Sequence, residues 1–300
     1  MTGRSDNGRR KLRGSMVALV TPFREGAVDH ESLNRLVDLQ IEAGTAALVP
    51  CGTTGESPTL TEAEHQRVIE AVIARSDGRC PVIAGTGSNA TAQAVSRTKQ
   101  AAAAGADGAL LVAPYYNRPT QEGLYRHYAA VAEAVDVSLV LYNVPKRTGV
   151  AIAEQTVIRL RRDFDHVVAV KHATGTVDGV DEILTGCDID VLSGDDGLTW
   201  PMMALGAVGV ISVVANITPG LVKDLVEAAA AGRVDQAGSI HRQVSALMQA
   251  MNRLGPNPIP IKTALALAGL CAEEFRLPLC PLDEQAKRSL EAVLRQHELG

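Results

Sequence analysis

A lysine closes the apolar run Val167-Val168-Ala169-Val170-Lys171. An ammonium is costly to bury unless it is paired, which leaves two readings. In one, Lys171 snorkels from the rim of the structure. In the other it is a nucleophile: burial penalises the charged form and leaves a neutral amine able to condense with a carbonyl. The Schiff base so formed is an electron sink that stabilises a carbanion equivalent without a metal. Carbinolamine formation, dehydration and enamine formation each need a proton transfer, and a phenol within reach supplies it. Tyr142 ends the preceding apolar run, and a hydroxyl chain through Thr53 and Tyr116 would lead the proton to bulk water.

Other segments repeat this pattern of polar residues directly after an apolar run. Gly52-Thr53-Thr54-Gly55-Glu56-Ser57 reads either as a turn with capping hydroxyls or as a glycine turn whose amides and hydroxyls hold a small anion such as a carboxylate. It lacks the Gly-Lys-Ser/Thr of a phosphate loop. Pro114-Tyr115-Tyr116-Asn117-Arg118-Pro119 and Tyr142-Asn143-Val144-Pro145-Lys146-Arg147-Thr148-Gly149 carry three of the five tyrosines. Packing with a satisfied hydroxyl explains a lone tyrosine; Tyr, Asn and Arg recurring together point to a site. The seven histidines form no metal-binding pair, and Gly85-Thr86-Gly87 lacks the third glycine of a dinucleotide fingerprint. No metal and no cofactor are expected.

The runs that must position these residues are 16–21, 46–50, 81–85, 109–113, 138–142, 167–171, 190–192 and 209–214. Several are apolar at consecutive positions, as strands buried on both faces are. Amphipathic helical patterns follow them. Thr61 and Glu64 form a capping box ahead of Val68, Ile69, Val72 and Ile73, Thr218-Pro219 opens another helix, and Gly44, Gly105, Gly206 and Gly232 read as stops. Eight strand–helix units predict a (β/α)8 TIM barrel over residues 14–232, with a doubly wound sheet as the alternative. Residues 1–13 read as a mobile tail. Residues 233–300 read as a C-terminal helical extension with helices at 235–251, 261–268 and 283–296, apolar on one side and suited to self-association.

Composition narrows the function. A formal net charge of −5 in 300 residues disfavours a nucleic-acid partner, which demands a basic surface. No apolar run reaches the ~18–20 residues of a membrane span, and no signal-peptide pattern precedes the first strand. The five scattered cysteines fit reduced thiols, Cys51 among them as a packing residue. A cytoplasmic enzyme is expected.

Taken in order, residues 52–57, 84–91, 114–125, 142–149, 170–175, 193–196, 209–216 and 257–262 resemble the dihydrodipicolinate synthase family, within the pyruvate-dependent aldolases that include N-acetylneuraminate lyase. The resemblance spans about residues 14–297. It implies a class I condensation of pyruvate with L-aspartate 4-semialdehyde giving 4-hydroxy-tetrahydrodipicolinate, on the route to diaminopimelate and lysine. Lys171 would form the imine and Tyr142 would donate and accept protons, with Thr53 and Tyr116 as relay partners and Tyr116 reaching into a neighbouring subunit. Thr54, Ile211 and Gly194 would line the pyruvate pocket, and Arg147 would receive the carboxylate of the aldehyde, a task for its planar fork. The family's usual assembly is a homotetramer, a dimer of dimers. The chain departs from the family pattern in two places. His172 follows the lysine where an acid is common, putting the tuning of the pocket in question. In the effector site His65, Asn89 and Tyr115 match, whereas Gln93 replaces a glutamate and Glu62 a histidine, so inhibition by lysine is expected to be weak or absent. Two alternatives remain open: another pyruvate lyase or dehydratase acting on a sugar acid, and a catalytically silent paralogue.

Overall fold

The computed structural model describes residues 12–297. Eight parallel strands, β1 Gly14–Ala18, β2 Ala47–Val49, β3 Ile83–Gly85, β4 Gly108–Val112, β5 Ser138–Asn143, β6 Val167–His172, β7 Asp190–Ser193 and β8 Gly209–Ser212, form one sheet. β1 pairs with both β2 and β8, and a parallel bridge between Leu48 and Val82 joins β2 to β3. The sheet therefore curls on itself, as the strand count and consecutive apolar runs predict. Along each strand alternate side chains face opposite ways. Met16, Val49, Leu110, Ala169, Leu192 and Ile211 belong to the cluster filling the interior, while the outward-facing set packs under the helices in two further clusters.

The helices of the barrel are α1 His30–Glu42, α2 Glu62–Ser76, α3 Thr91–Ala103, α4 Gln121–Ala132, α5 Glu154–Asp163, α6 Val180–Gly186, α7 Thr199–Ala204 and α8 Pro219–Ala230. Their ends follow local chemistry. At α2 the Thr61 side chain accepts from the Glu64 N–H while the Glu64 carboxylate accepts from the Thr61 N–H, satisfying two otherwise orphaned donors. Val68, Ile69 and Val72 on its inner face are fully buried. α8 starts at Pro219 as expected, without a capping bond from the Thr218 side chain. Gly44, Gly105, Gly206 and Gly232 all adopt positive φ, which lets the chain leave a helix at little steric cost.

Three more helices, α9 Val234–Leu254, α10 Ile259–Leu267 and α11 Glu284–Gln296, build the extension. α9 and α10 pack into the same apolar cluster as α1, α2 and α8. Of the expected tail, residues 1–11 lie outside the described residues. At its end, Leu12 is buried in the barrel interior cluster, and Arg13 pairs with Asp190 at 3.1 Å. A two-stranded hairpin, Phe23–Arg24 with Ala27–Val28, follows β1 and meets the extension.

Candidate active site

Parallel register sets Tyr142 of β5 opposite Lys171 of β6, and Asn143 opposite His172. Alternation then turns Tyr142 and Lys171 into the barrel and the other two outward. Lys171 is 4 % exposed, and its Nζ lies 4.4 Å from the centroid of the Tyr142 ring. No ion pair joins it to a carboxylate among the described residues. Its stem runs along β7 at Gly194, where a Cβ would sit 3.0 Å from Lys171 Cε and 2.6 Å from Ala173 Cβ. Only glycine leaves that passage open.

Beside this pair is a cavity of about 490 Å³. Thr53, Tyr142 and Arg147 line it together with Glu62, Gln93, Arg97 and Tyr115. Thr54 is buried behind the turn, its Oγ1 accepting from Asn257 Nδ2 at 3.0 Å. The Asn257 carbonyl in turn accepts from Arg147 Nη2 at 2.9 Å. One residue of the extension thus touches both the turn after β2 and the short helix Pro145–Thr148 after β5. Ile211 is buried in the barrel interior. At the end of β8, buried Asp196 accepts from the Ser212 hydroxyl and from the Val213 and Val214 N–H groups; burial pushes its carboxyl up.

Of the residues expected in catalysis and pyruvate binding, Lys171, Thr54, Gly194, Ile211 and Tyr116 do not line the cavity itself, and Tyr116 stands furthest from burial. It is 90 % exposed, on backbone with φ +73°. His172 points away from the pocket: its Nε2 meets Thr174 Oγ1 at 2.9 Å, and burial lowers its pKa. Cys51 is fully buried and burial pushes its thiol up, which fits packing and not reactivity.

The expected effector residues separate. Gln93 and Tyr115 line the cavity. His65 does not: its Nε2 meets the Gly85 carbonyl at 2.9 Å, and its pKa is lowered by burial and then by the Arg97 charge. Asn89 is tied through its carbonyl to Asn117 Nδ2 at 2.8 Å. Glu62 supplies the only carboxylate of the lining, but it binds Arg97 and accepts from Gln93 Nε2 at 2.7 Å. Arg97 escaped the sequence reading, and Asn257 entered it only as part of the motif 257–262, with no role in the site. Arg97 sits on α3 among ordinary exposed polar residues, and only the fold turns it toward Glu62.

The sequence matches the dihydrodipicolinate synthetase family model over residues 11–297. The chain belongs to that family. It is 56 % identical over 290 residues to the 4-hydroxy-tetrahydrodipicolinate synthase of Pelobacter propionicus, covering 96 % of this chain and 99 % of that protein. The dihydrodipicolinate synthase of Aquifex aeolicus superposes with a TM-score of 0.94 at 48 % identity, covering 96 % of this chain and 98 % of the other. The chloride-inhibited dihydrodipicolinate synthase of Acinetobacter baumannii, solved with pyruvate, gives 0.93 at 45 % identity, covering 97 % of this chain and all of that one. Every family motif read from the sequence that bears on this pocket lies on a strand end or in the extension that packs against it.

Proposed function

We propose that this chain is a lyase that condenses pyruvate with L-aspartate 4-semialdehyde to 4-hydroxy-tetrahydrodipicolinate, in the biosynthesis of diaminopimelate and lysine. One observation carries the reading: a buried lysine amine with no carboxylate partner among the described residues, facing a phenol beside a cavity large enough for two small acids. The names of close relatives support it, and no observation favours a sugar-acid substrate or a silent paralogue.

In this reading the Lys171 amine adds to the pyruvate carbonyl, and loss of water leaves the imine. Thr54 and the backbone near Ile211 hold the pyruvate carboxylate. Tyr142 returns a proton to the departing hydroxyl and, with Thr53, relays the proton taken from the pyruvate methyl group as the enamine forms. The enamine carbon attacks the aldehyde, whose carboxylate Arg147 receives through two parallel N–H donors. The substrate's own amine then adds to the imine carbon, and the C–N bond to Lys171 breaks, freeing the enzyme. Borohydride reduction in the presence of pyruvate tests this: a stable mass gain mapped to Lys171 is expected, absent in K171A. Loss of the gain in wild type, or wild-type turnover by K171A, contradicts the reading.

The chain works as a homotetramer in the cytoplasm, with Tyr116 entering the site of a second copy. Its exposure in the single chain supports the assembly, whereas the apolar side of the extension is taken up by the barrel's own helices; among the described residues no helix is long and apolar enough to cross a membrane. Lysine is a weak effector or none, because Gln93 stands where a carboxylate would receive its ammonium and the nearby Glu62 is already paired with Arg97. Half-maximal inhibition at low-millimolar lysine in a coupled assay is the contrary result.

A further inference from the structure

Two lysines are buried among apolar groups, and their surroundings differ. Lys171 stands without a carboxylate partner among the described residues. Lys262, on α10, has its Nζ 2.6 Å from Glu56 Oε1, and both side chains are completely buried. That ammonium also lies over the rings of Phe23 and Phe275, 4.0 and 5.2 Å from their centroids. The other carboxylate oxygen of Glu56 accepts from the Arg276 N–H at 3.4 Å. As a source of stability such a pair is poor, since removing two charges from water offsets their attraction.

Its location indicates another use. Glu56 directly follows Gly52-Thr53-Thr54-Gly55. The residues flanking that turn, Cys51 at φ +56° and Glu56 at φ +52°, both occupy the left-handed region, which non-glycine residues hold only where their surroundings impose it. At Cys51 the constraint is the close approach of β3: a Cβ on Gly85 would lie 2.4 Å from the Cys51 carbonyl oxygen. At Glu56 the carboxylate is held at one oxygen by Lys262 and at the other by the Arg276 N–H. The turn itself is tightly strung, with the Glu56 N–H donating to the Thr53 carbonyl at 3.1 Å and the Thr21 hydroxyl to the Gly55 carbonyl at 2.8 Å. A rotation at Glu56 therefore displaces Thr53 and Thr54 together.

We propose that the Glu56–Lys262 ion pair is a positioning device: it anchors on the C-terminal extension the turn that presents Thr53 and Thr54, and so sets pyruvate binding and proton relay at Lys171. The inference rests on the Schiff-base reading above. Neither side chain lines the cavity, so the pair acts through the turn.

E56Q alone strands a buried ammonium, so the test uses E56Q/K262M, which removes both charges at similar volume, together with K262R, which keeps both charges but puts a longer planar fork in place of the compact ammonium and so shifts the Glu56 carboxylate and the turn with it. Borohydride trapping of wild type with pyruvate comes first; its failure removes the Schiff-base reading and is distinguishable from everything that follows. In the double variant the melting temperature stays near wild type and the Lys171 adduct still forms at saturating pyruvate. Its pyruvate KM rises roughly tenfold, the size of one displaced hydrogen bond, and kcat falls by about ten- to a hundredfold, as misplacement of a reacting group does. A folded double variant with wild-type KM and kcat overturns the proposal. If the double variant does not fold, K262R decides: a raised pyruvate KM at wild-type melting temperature supports positioning, and an unchanged KM overturns it.

Discussion

Lys171 and Lys262 give the same signal in the sequence, a lone lysine in an apolar run, and only the fold separates them. One is paired with a carboxylate 206 positions away; the other faces a phenol. The difference was not legible because a partner so distant in sequence leaves no local trace at either end. Tyr142, Thr53 and Arg147 were legible, since each ends or follows a run whose strand character is strong. Gly194 was named through family likeness, and the structure supplies the physical reason: the Lys171 stem fills the space a side chain would take. G194A pushes a methyl to 2.6 Å from Ala173 Cβ and 3.0 Å from Lys171 Cε, and real carbon contacts do not survive there. The expected outcome is a fall in kcat of roughly a hundredfold, from displacement of the nucleophile by about 1 Å, with slowed borohydride trapping at Lys171. A variant that traps pyruvate at the wild-type rate rules out that role for the glycine.

At the scale of elements, all eight strands fall where consecutive apolar residues put them, with ends shifted by up to three positions; β1 begins at Gly14 and not Met16. The extension was legible as helices but not as a brace on the barrel mouth, because its ties are single polar contacts over long sequence distances. Glu274 accepts from the Glu25 and Gly26 N–H groups at 2.8 and 2.6 Å, gripping the hairpin after β1. Arg276 pairs with Glu64 at 2.6 Å and donates to the Thr59 and Gly26 carbonyls. Glu64 thus caps α2 and binds the extension at once. The Arg276 guanidinium hydrogen-bonded to it holds its carboxyl down at about 2, whereas an unfolded glutamate titrates near ~4.3. A depressed carboxylate contributes stability that is complete above the unfolded value and fades as pH falls toward 2. E64Q keeps the capping box, for which glutamine also serves, but loses the charge. It is expected to unfold about 1–3 kcal/mol more easily in denaturant at pH 7, the range for a hydrogen bond to a charged group, with the gap closing between pH 4 and pH 2. A gap that stays constant with pH assigns the loss to something other than this ion pair.

For the whole molecule, one chain holds Lys171, Tyr142, Thr54 and Arg147, the groups proposed above as nucleophile, phenol and carboxylate receivers, yet leaves Tyr116 in solvent on backbone with φ +73°. A non-glycine residue in that conformation is costly, and such strain persists where function imposes it. An exposed ring there gains most if a second copy buries it, and a closed two-fold arrangement makes the exchange mutual, each chain completing its neighbour's relay. Mutual completion has a consequence that a self-contained site lacks. K171A has no nucleophile and Y116F lacks the relay hydroxyl, so each variant alone is inactive or strongly impaired. In a mixed pair, the chain carrying Y116F still has Lys171 and receives an intact Tyr116 from its K171A neighbour. Random pairing makes about half of all pairs mixed, and each restores one of its two sites. Unfolding and refolding the two variants together is therefore expected to return about a quarter of wild-type activity, while the same variants mixed without exchange return none beyond their own. Recovery that fails to exceed the parents after verified chain exchange places the relay within one chain and removes the functional reason for the exposed tyrosine.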